Sequence, residues 1–227
     1  MNEFEINNMI FKISDTENHE VELKSTVGIL GEFRGYGNRD NRIKEKFEQK
    51  IFKLPQTVLS PKDNLIYTVT SIGKGLFDCM EDVETIILPG TLKKIEWGFW
   101  QCKRLKSIKI SECEATPASP SSPGDFCSIN GVLFNLTRKK LIAFPNMNCN
   151  EYTIPNGVEE ISKFAFKDCN NIMILHFPVT IKKIGVNAFY RCNNLKRIYT
   201  KVNPLVITNE GCTGSFGNVN PEWFVEK

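Results

Sequence analysis

The chain repeats itself at a fixed step, and no other feature of the sequence restricts the possible fold as much. Setting IKKIGVNAFYRCNNLKRI beneath VEEISKFAFKDCNNIMIL places Ile184 under Ile161, Ala188 under Ala165, Phe189 under Phe166, Cys192 under Cys169 and Leu195 under Ile172, each 23 residues apart. An earlier pair, VTSIGKGLFDC and LKKIEWGFWQC, keeps the same step: Ile95 follows Ile72, Phe99 follows Leu76 and Cys102 follows Cys79. This earlier pair is one residue shorter between its isoleucine and its Leu or Phe. After each cysteine comes an apolar ladder: Val83, Ile86, Leu88; Leu105, Ile108, Ile110; Ile172, Leu175, Phe177; Leu195, Ile198.

A period of about 20–29 residues with apolar positions stepping by three and then two is the pattern of a leucine-rich repeat and its strand. One such repeat cannot bury its own apolar face, whereas stacked repeats build a continuous core coil by coil. The Leu-Pro step at 88–89 and the Phe-Pro step at 177–178 should end the strands, because proline has no ladder donor. The expected fold is therefore an α/β repeat: a right-handed leucine-rich-repeat solenoid with short strands, short helical or 3-10 turns and terminal caps.

These motifs resemble the BspA-like leucine-rich repeat family of bacterial surface proteins. The residues that carry the resemblance are TIILPGTLKKI, ILHFPVTIKKIGVNAFYRC and VEEISKFAFKDC, together with NGVLFNLTRKKLIAFP followed by YTIPNGVEEI, and IYTVTSIGKGLF. The match covers most of residues 51–200. It departs at Gly75 and Gly98, where the family has Ala, and over 111–127. The resemblance implies a secreted or cell-surface protein of bacterial type. It also implies adhesion to a protein ligand, such as a host extracellular-matrix or cell-surface protein.

Outside the repeats, residues 1–60 read as an N-terminal cap with a hairpin and a loop. FEINNMIFKI alternates on either side of Asn7-Asn8, and VELKSTVGIL suits a further strand. The Gly-rich and then charged stretch up to Lys50, with Ile43 and Phe47 four apart, suits a loop and a short amphipathic helix. The solenoid is expected over 61–202, with a Ser/Pro-rich loop inserted at 111–127. Residues 203–227 are expected to cap its far end, with Phe216, Trp223 and Phe224 covering the last coil.

The eight cysteines raise the question of chemistry against packing. Cys79, Cys102, Cys169 and Cys192 share one repeat position, so their side chains should enter the core as small apolar groups. No CxxC or HxxxH spacing exists to hold a metal, and no cofactor motif is present. Cys113 and Cys127 flank the Ser/Pro loop and would be the natural disulfide in an exported protein. Only His19 and His176 could serve as bases, and the strand pattern turns His176 away from the inward cysteines, so no catalytic residue is assigned. Asn135-Leu136-Thr137 is formally a glycosylation sequon.

Net charge is +3, and Lys93-Lys94 and Lys182-Lys183 alternate with Glu159-Glu160, which disfavours nucleic-acid binding. No apolar run is long enough to span a membrane, and the polar opening MNEFEINNMI shows no secretory signal. The outward positions of the strands remain: Thr85 and Ile87; Ser107 and Lys109; Ile174 and His176; Arg197 and Tyr199. Solenoids bind through such extended faces. A structural spacer or self-assembling layer component fits the same pattern, and a thiol-dependent enzyme fits it less well.

Overall fold

The computed structural model describes residues 3–6, 9–26, 50–73, 76–77, 80, 82–96, 99, 102–111, 124–202, 208–209 and 224–226. These residues form nineteen short strands and, among the described residues, no helix. The chain divides into two compact units, Met1–Cys102 with Ile110–Phe126, and Lys103–Lys109 with Cys127–Lys227.

The first unit holds β1 (Glu3–Ile6), β2 (Met9–Asp15), β3 (Glu20–Thr26), β4 (Ile51–Lys53), β5 (Thr57–Leu59), β6 (Ile66–Ile72), β7 (Thr85–Leu88) and β8 (Lys94–Ile95). Strands β1 and β2 pair antiparallel, with Phe4 opposite Phe11 and Ile6 opposite Met9. The alternation in the sequence sets this pairing: Phe4, Met9 and Phe11 all turn inward and are buried. The sheet runs β1-β2-β3-β6-β5, with β8 also on β6. Strand β3 joins β6 in parallel, Val21 facing Val69, so the N-terminal hairpin adds directly to a repeat strand. Strands β6 and β8 pair Ile72 with Ile95, which is the 23-residue step of the sequence. Strand β4 lies parallel to β7, Phe52 facing Ile86. The Gly-rich and charged stretch with Ile43 and Phe47, Cys79, Cys113 and most of the Ser/Pro insertion lie outside the described residues.

Strand β9 (Ser107–Ile110) follows, with Ser107 to Lys109 counted in the second unit. That unit continues with β10 (Phe126–Ile129), β11 (Val132–Asn135), β12 (Lys140–Ala143), β13 (Glu151–Thr153), β14 (Glu160–Ile161), β15 (Ile174–His176), β16 (Lys183–Ile184), β17 (Arg197–Thr200), β18 (Thr208–Asn209) and β19 (Phe224–Glu226). Two ladders result, β10-β11-β12-β14-β16-β18 and β13-β15-β17-β19. In the first ladder Ile161 pairs with Ile184, and in the second Leu175 pairs with Ile198, both at the repeat step. Each repeat thus contributes one strand to each ladder.

The core of the second unit is built from the repeat positions. Ile161, Ala165, Phe166, Cys169, Ile172 and Leu175 from one coil pack with Ile184, Ala188, Phe189, Cys192, Leu195 and Ile198 from the next. Phe144, Phe166 and Phe189 form a file of near-parallel rings, with centroids 4.8 and 5.2 Å apart. Gly185 has a separate reason to be small. A Cβ there would lie 2.3 Å from the backbone nitrogen of Lys163 and 2.7 Å from the carbonyl carbon of Ser162, because adjacent coils touch backbone to backbone.

The expected helical or 3-10 turns are not found among the described residues, and the hydrogen bonds explain why. Between Ser162 and Cys169 the N–H groups alternate in use. Those of Ala165, Lys167 and Cys169 donate to Ser162, Phe164 and Phe166 three residues back. Those of Phe164, Phe166 and Asp168 donate instead to Val186, Ala188 and Tyr190 in the next coil, at 2.8–3.2 Å. A helix would keep every donor within its own segment, so sharing each second one with the neighbouring coil precludes it. The alternation requires left-handed backbone, and Phe164, Asp168, Asn187 and Arg191 all sit at φ between 54° and 61°, again in pairs 23 residues apart.

Candidate binding face

Parallel pairing at a constant step places like positions side by side, so each ladder presents rows of aligned side chains. In the ladder β13-β15-β17-β19 the middle row is Tyr152, Leu175, Ile198 and Phe224, and it turns inward: Leu175 and Ile198 are fully buried. The residues on either side of it turn outward. They form two rows, Glu151-Ile174-Arg197 and Thr153-His176-Tyr199-Val225.

The outward rows are tied together by contacts. The Glu151 carboxylate lies 2.5 Å from His176 Nε2. The His176 ring stacks on Tyr199 with centroids 5.1 Å apart. The Arg197 guanidinium donates to the Tyr199 hydroxyl at 3.3 Å. An acid, an imidazole, a phenol and a guanidinium therefore run diagonally over three strands. Ile174 is half-buried beside them and Val225 is exposed. Such a surface offers hydrogen-bond donors, acceptors, both charges and apolar area at once. Tyrosine and arginine, with tryptophan, are enriched where protein partners bind tightly.

Of the eight outward residues expected from the sequence, Ile174, His176, Arg197 and Tyr199 share this ladder. Thr85 and Ile87 lie half-buried on β7 in the first unit, where their partners are Ile51 and Lys53. Ser107 is half-buried and Lys109 exposed on β9, a strand outside the β13–β19 ladder. Sequence reasoning missed Glu151, Thr153 and Val225. One repeat step back from Ile174 and His176 points to Glu151 and Thr153, so the signal was present. Val225 lies 26 residues beyond Tyr199 and breaks the step, so periodicity could not locate it.

The other ladder carries charge that is internally matched. Glu159 accepts ion pairs from Lys139 at 3.0 Å and Lys182 at 2.8 Å. Glu160 does the same with Lys140 at 2.7 Å and Lys183 at 3.8 Å. The hydrogen bonds from Lys182 and Lys139 hold the Glu159 carboxyl below its usual range. Each acid lies between two lysines, so the lysine pairs form no continuous basic stripe.

The in-register sulfurs face the other way. Cys102, Cys169 and Cys192 are buried, and each donates its thiol to a backbone carbonyl one coil back. The acceptors are Phe77 at 2.8 Å, Phe144 at 3.4 Å and Phe166 at 2.8 Å. Burial pushes the Cys192 thiol up to about 12, and it pushes the Cys169 thiol well above its ordinary value. A thiol held protonated is a poor nucleophile and a poor metal ligand. Among the described residues no three His, Cys, Asp or Glu side chains converge to hold a metal. Cys127 is half-buried and donates to the carbonyl of Asn135 at 3.3 Å.

Parallel ladders at a 23-residue step, with files of phenylalanine and cysteine between them, define a leucine-rich-repeat protein. The chain belongs to the BspA type leucine rich repeat family, whose model matches residues 46–120 and 135–214 in six copies. A leucine-rich repeat protein from Bacteroides ovatus has the same fold, with a TM-score of 0.51 at 22% identity. The likeness covers 87% of this chain and 47% of that one, so this chain spans less than half that protein's length. One from Bacteroides capillosus gives a TM-score of 0.42 at 14% identity, over 88% of this chain and 98% of that one. A leucine rich cell surface protein from Faecalibacterium prausnitzii gives 0.35 at 15% identity, over 86% and 76%. No curated protein matches the chain.

Proposed function

We propose that the chain is a non-enzymatic protein-binding module of a secreted or surface-displayed bacterial protein, and that it adheres to its ligand through the outward rows of β13, β15, β17 and β19. The observation that carries this reading is the diagonal Glu151-His176-Tyr199-Arg197 beside Ile174 and Val225, a mixed polar and apolar surface on a rigid ladder. Surface display and adhesion are what membership of a family of bacterial surface proteins suggests. Thr85 and Ile87 in the first unit, and Ser107 and Lys109 on β9, hold the outward position in their own strands and are proposed as further ligand contacts there. On this reading the coil winds right-handed, as parallel crossovers nearly always do. Residues 1–60 and 203–227 then close the apolar ends of the repeat region 61–202.

Binding of the purified chain to immobilised extracellular-matrix proteins and to whole cells tests the proposal. Tyr199→Ala and Lys109→Ala are expected to weaken the interaction, Tyr199→Ala the more. A ligand that binds both variants as it binds the parent places the binding face elsewhere.

A further inference from the structure

The sequence contains two Asn-Gly steps, Asn130-Gly131 and Asn156-Gly157, and valine follows each of them. The two following residues, the first of which chiefly governs intrinsic asparagine deamidation, are thus matched, and the preceding ones are Ile129 and Pro155, so a large difference in rate would come from the fold. We propose that Asn156 is a site of spontaneous deamidation and isoaspartate formation in the native protein, while Asn130 is protected.

The reaction needs no co-reactant beyond water. The Gly157 amide nitrogen loses its proton to solvent and attacks Cγ of Asn156. The new C–N bond displaces the side-chain amide as ammonia and leaves a five-membered imide. Water then opens the imide at either carbonyl, giving aspartate or isoaspartate. Two conditions set the rate: solvent must reach the glycine N–H, and the asparagine must rotate to bring Cγ over that nitrogen.

Asn130 is itself exposed, but Gly131 is half-buried and the backbone of both is held against the rotation. They are the two-residue loop joining the paired strands β10 and β11, both with positive φ, 51° and 82°. This is the backbone of the tight hairpin turn that Asn-Gly favours. The Gly131 carbonyl accepts the Ile108 N–H at 2.8 Å, and a Cβ on Gly131 would lie 2.9 Å from the Ser107 hydroxyl. Rotation at Asn130 would break strand pairing on both sides. Asn156 and Gly157 are both exposed, and nothing lies within 4 Å of a Cβ built on Gly157. Their turn is closed by one long bond, from Val158 N–H to the Pro155 carbonyl at 3.3 Å.

The consequence falls on the coil that follows. Isoaspartate inserts a backbone methylene two residues before Val158, which is fully buried and whose carbonyl accepts the Thr180 hydroxyl at 2.7 Å.

The test is incubation of the full chain at body temperature and mildly alkaline pH, followed by peptide mapping by mass spectrometry and enzymatic detection of isoaspartate. The proposal predicts conversion at Asn156 at least several-fold faster than at Asn130. It predicts convergence of the two rates when the chain is denatured, and loss of the fast phase alone in Asn156→Gln. Equal native rates, a faster Asn130, or a difference that persists undiminished in denaturant would each overturn it.

Discussion

The in-register cysteines give the most direct quantitative prediction. At pH 8 an ordinary cysteine with a pKa near 8.5 is roughly one-quarter thiolate. With its pKa at about 12, Cys192 is thiolate in about one molecule in ten thousand. The difference is on the order of a thousandfold in labelling rate before steric exclusion is counted. Burial adds to this, because an aromatic disulfide reagent must wait for the coil to open. Labelling in native buffer, quenched at intervals and mapped by peptide, should show the half-buried Cys127 and Cys149 modified first. Cys102, Cys169 and Cys192 should react only on unfolding. The same shift couples to stability. A thiol whose folded pKa is raised keeps its proton while the unfolded chain loses one, so its contribution is intact below about pH 8.5. Above that, stability falls by roughly 1 kcal/mol per pH unit from Cys192, until the pH approaches 12. Cys192→Ala should flatten that slope. Labelling of Cys192 or Cys169 in native buffer at the rate of the denatured chain would refute the packing account of these sulfurs.

Phe166→Ala removes the middle ring of a three-ring file and should cost about 3–5 kcal/mol in chemical denaturation, a large fraction of a typical domain's stability. Phe164→Ala, at a half-buried turn position, should cost far less. Gly185→Ala must push a Cβ into the backbone of the preceding coil and should lower the thermal midpoint strongly, whereas Gly157→Ala should act only through its φ of 91°. Thr180→Val removes the hydroxyl bonded to the Val158 carbonyl and should cost about 1 kcal/mol.

The period of the sequence located most of the architecture because pairing in the parallel ladders obeys it. Ile161 with Ile184, Leu175 with Ile198 and Ile72 with Ile95 are aligned in the sequence and paired in space. The hairpin of β1 and β2 was legible from alternation alone. The turns were not. Whether the segment after Ser162 forms a helix depends on a neighbouring coil that accepts alternate N–H groups, and no local propensity reports that. The parallel joining of β3 to β6 was hidden for a related reason, since Val21 and Val69 belong to segments with no common motif. Of the candidate face, the positions of Ile174, His176, Arg197 and Tyr199 followed from strand alternation. The stacking of His176 on Tyr199 and its contact with Glu151 depend on pairing across three strands, which the sequence specifies only through its period.

The repeat positions build the core, and the outward rows of the β13–β19 ladder are proposed to bind. Two double variants, compared against one ligand that binds the parent chain, separate that face from the rest of the surface. His176→Ala with Tyr199→Ala alters the proposed face, and Lys139→Ala with Lys182→Ala alters exposed charges on the other ladder. Both variants should fold, as judged by circular dichroism. The account predicts that the first loses binding and the second retains it. Retained binding in the first with loss in the second would contradict it.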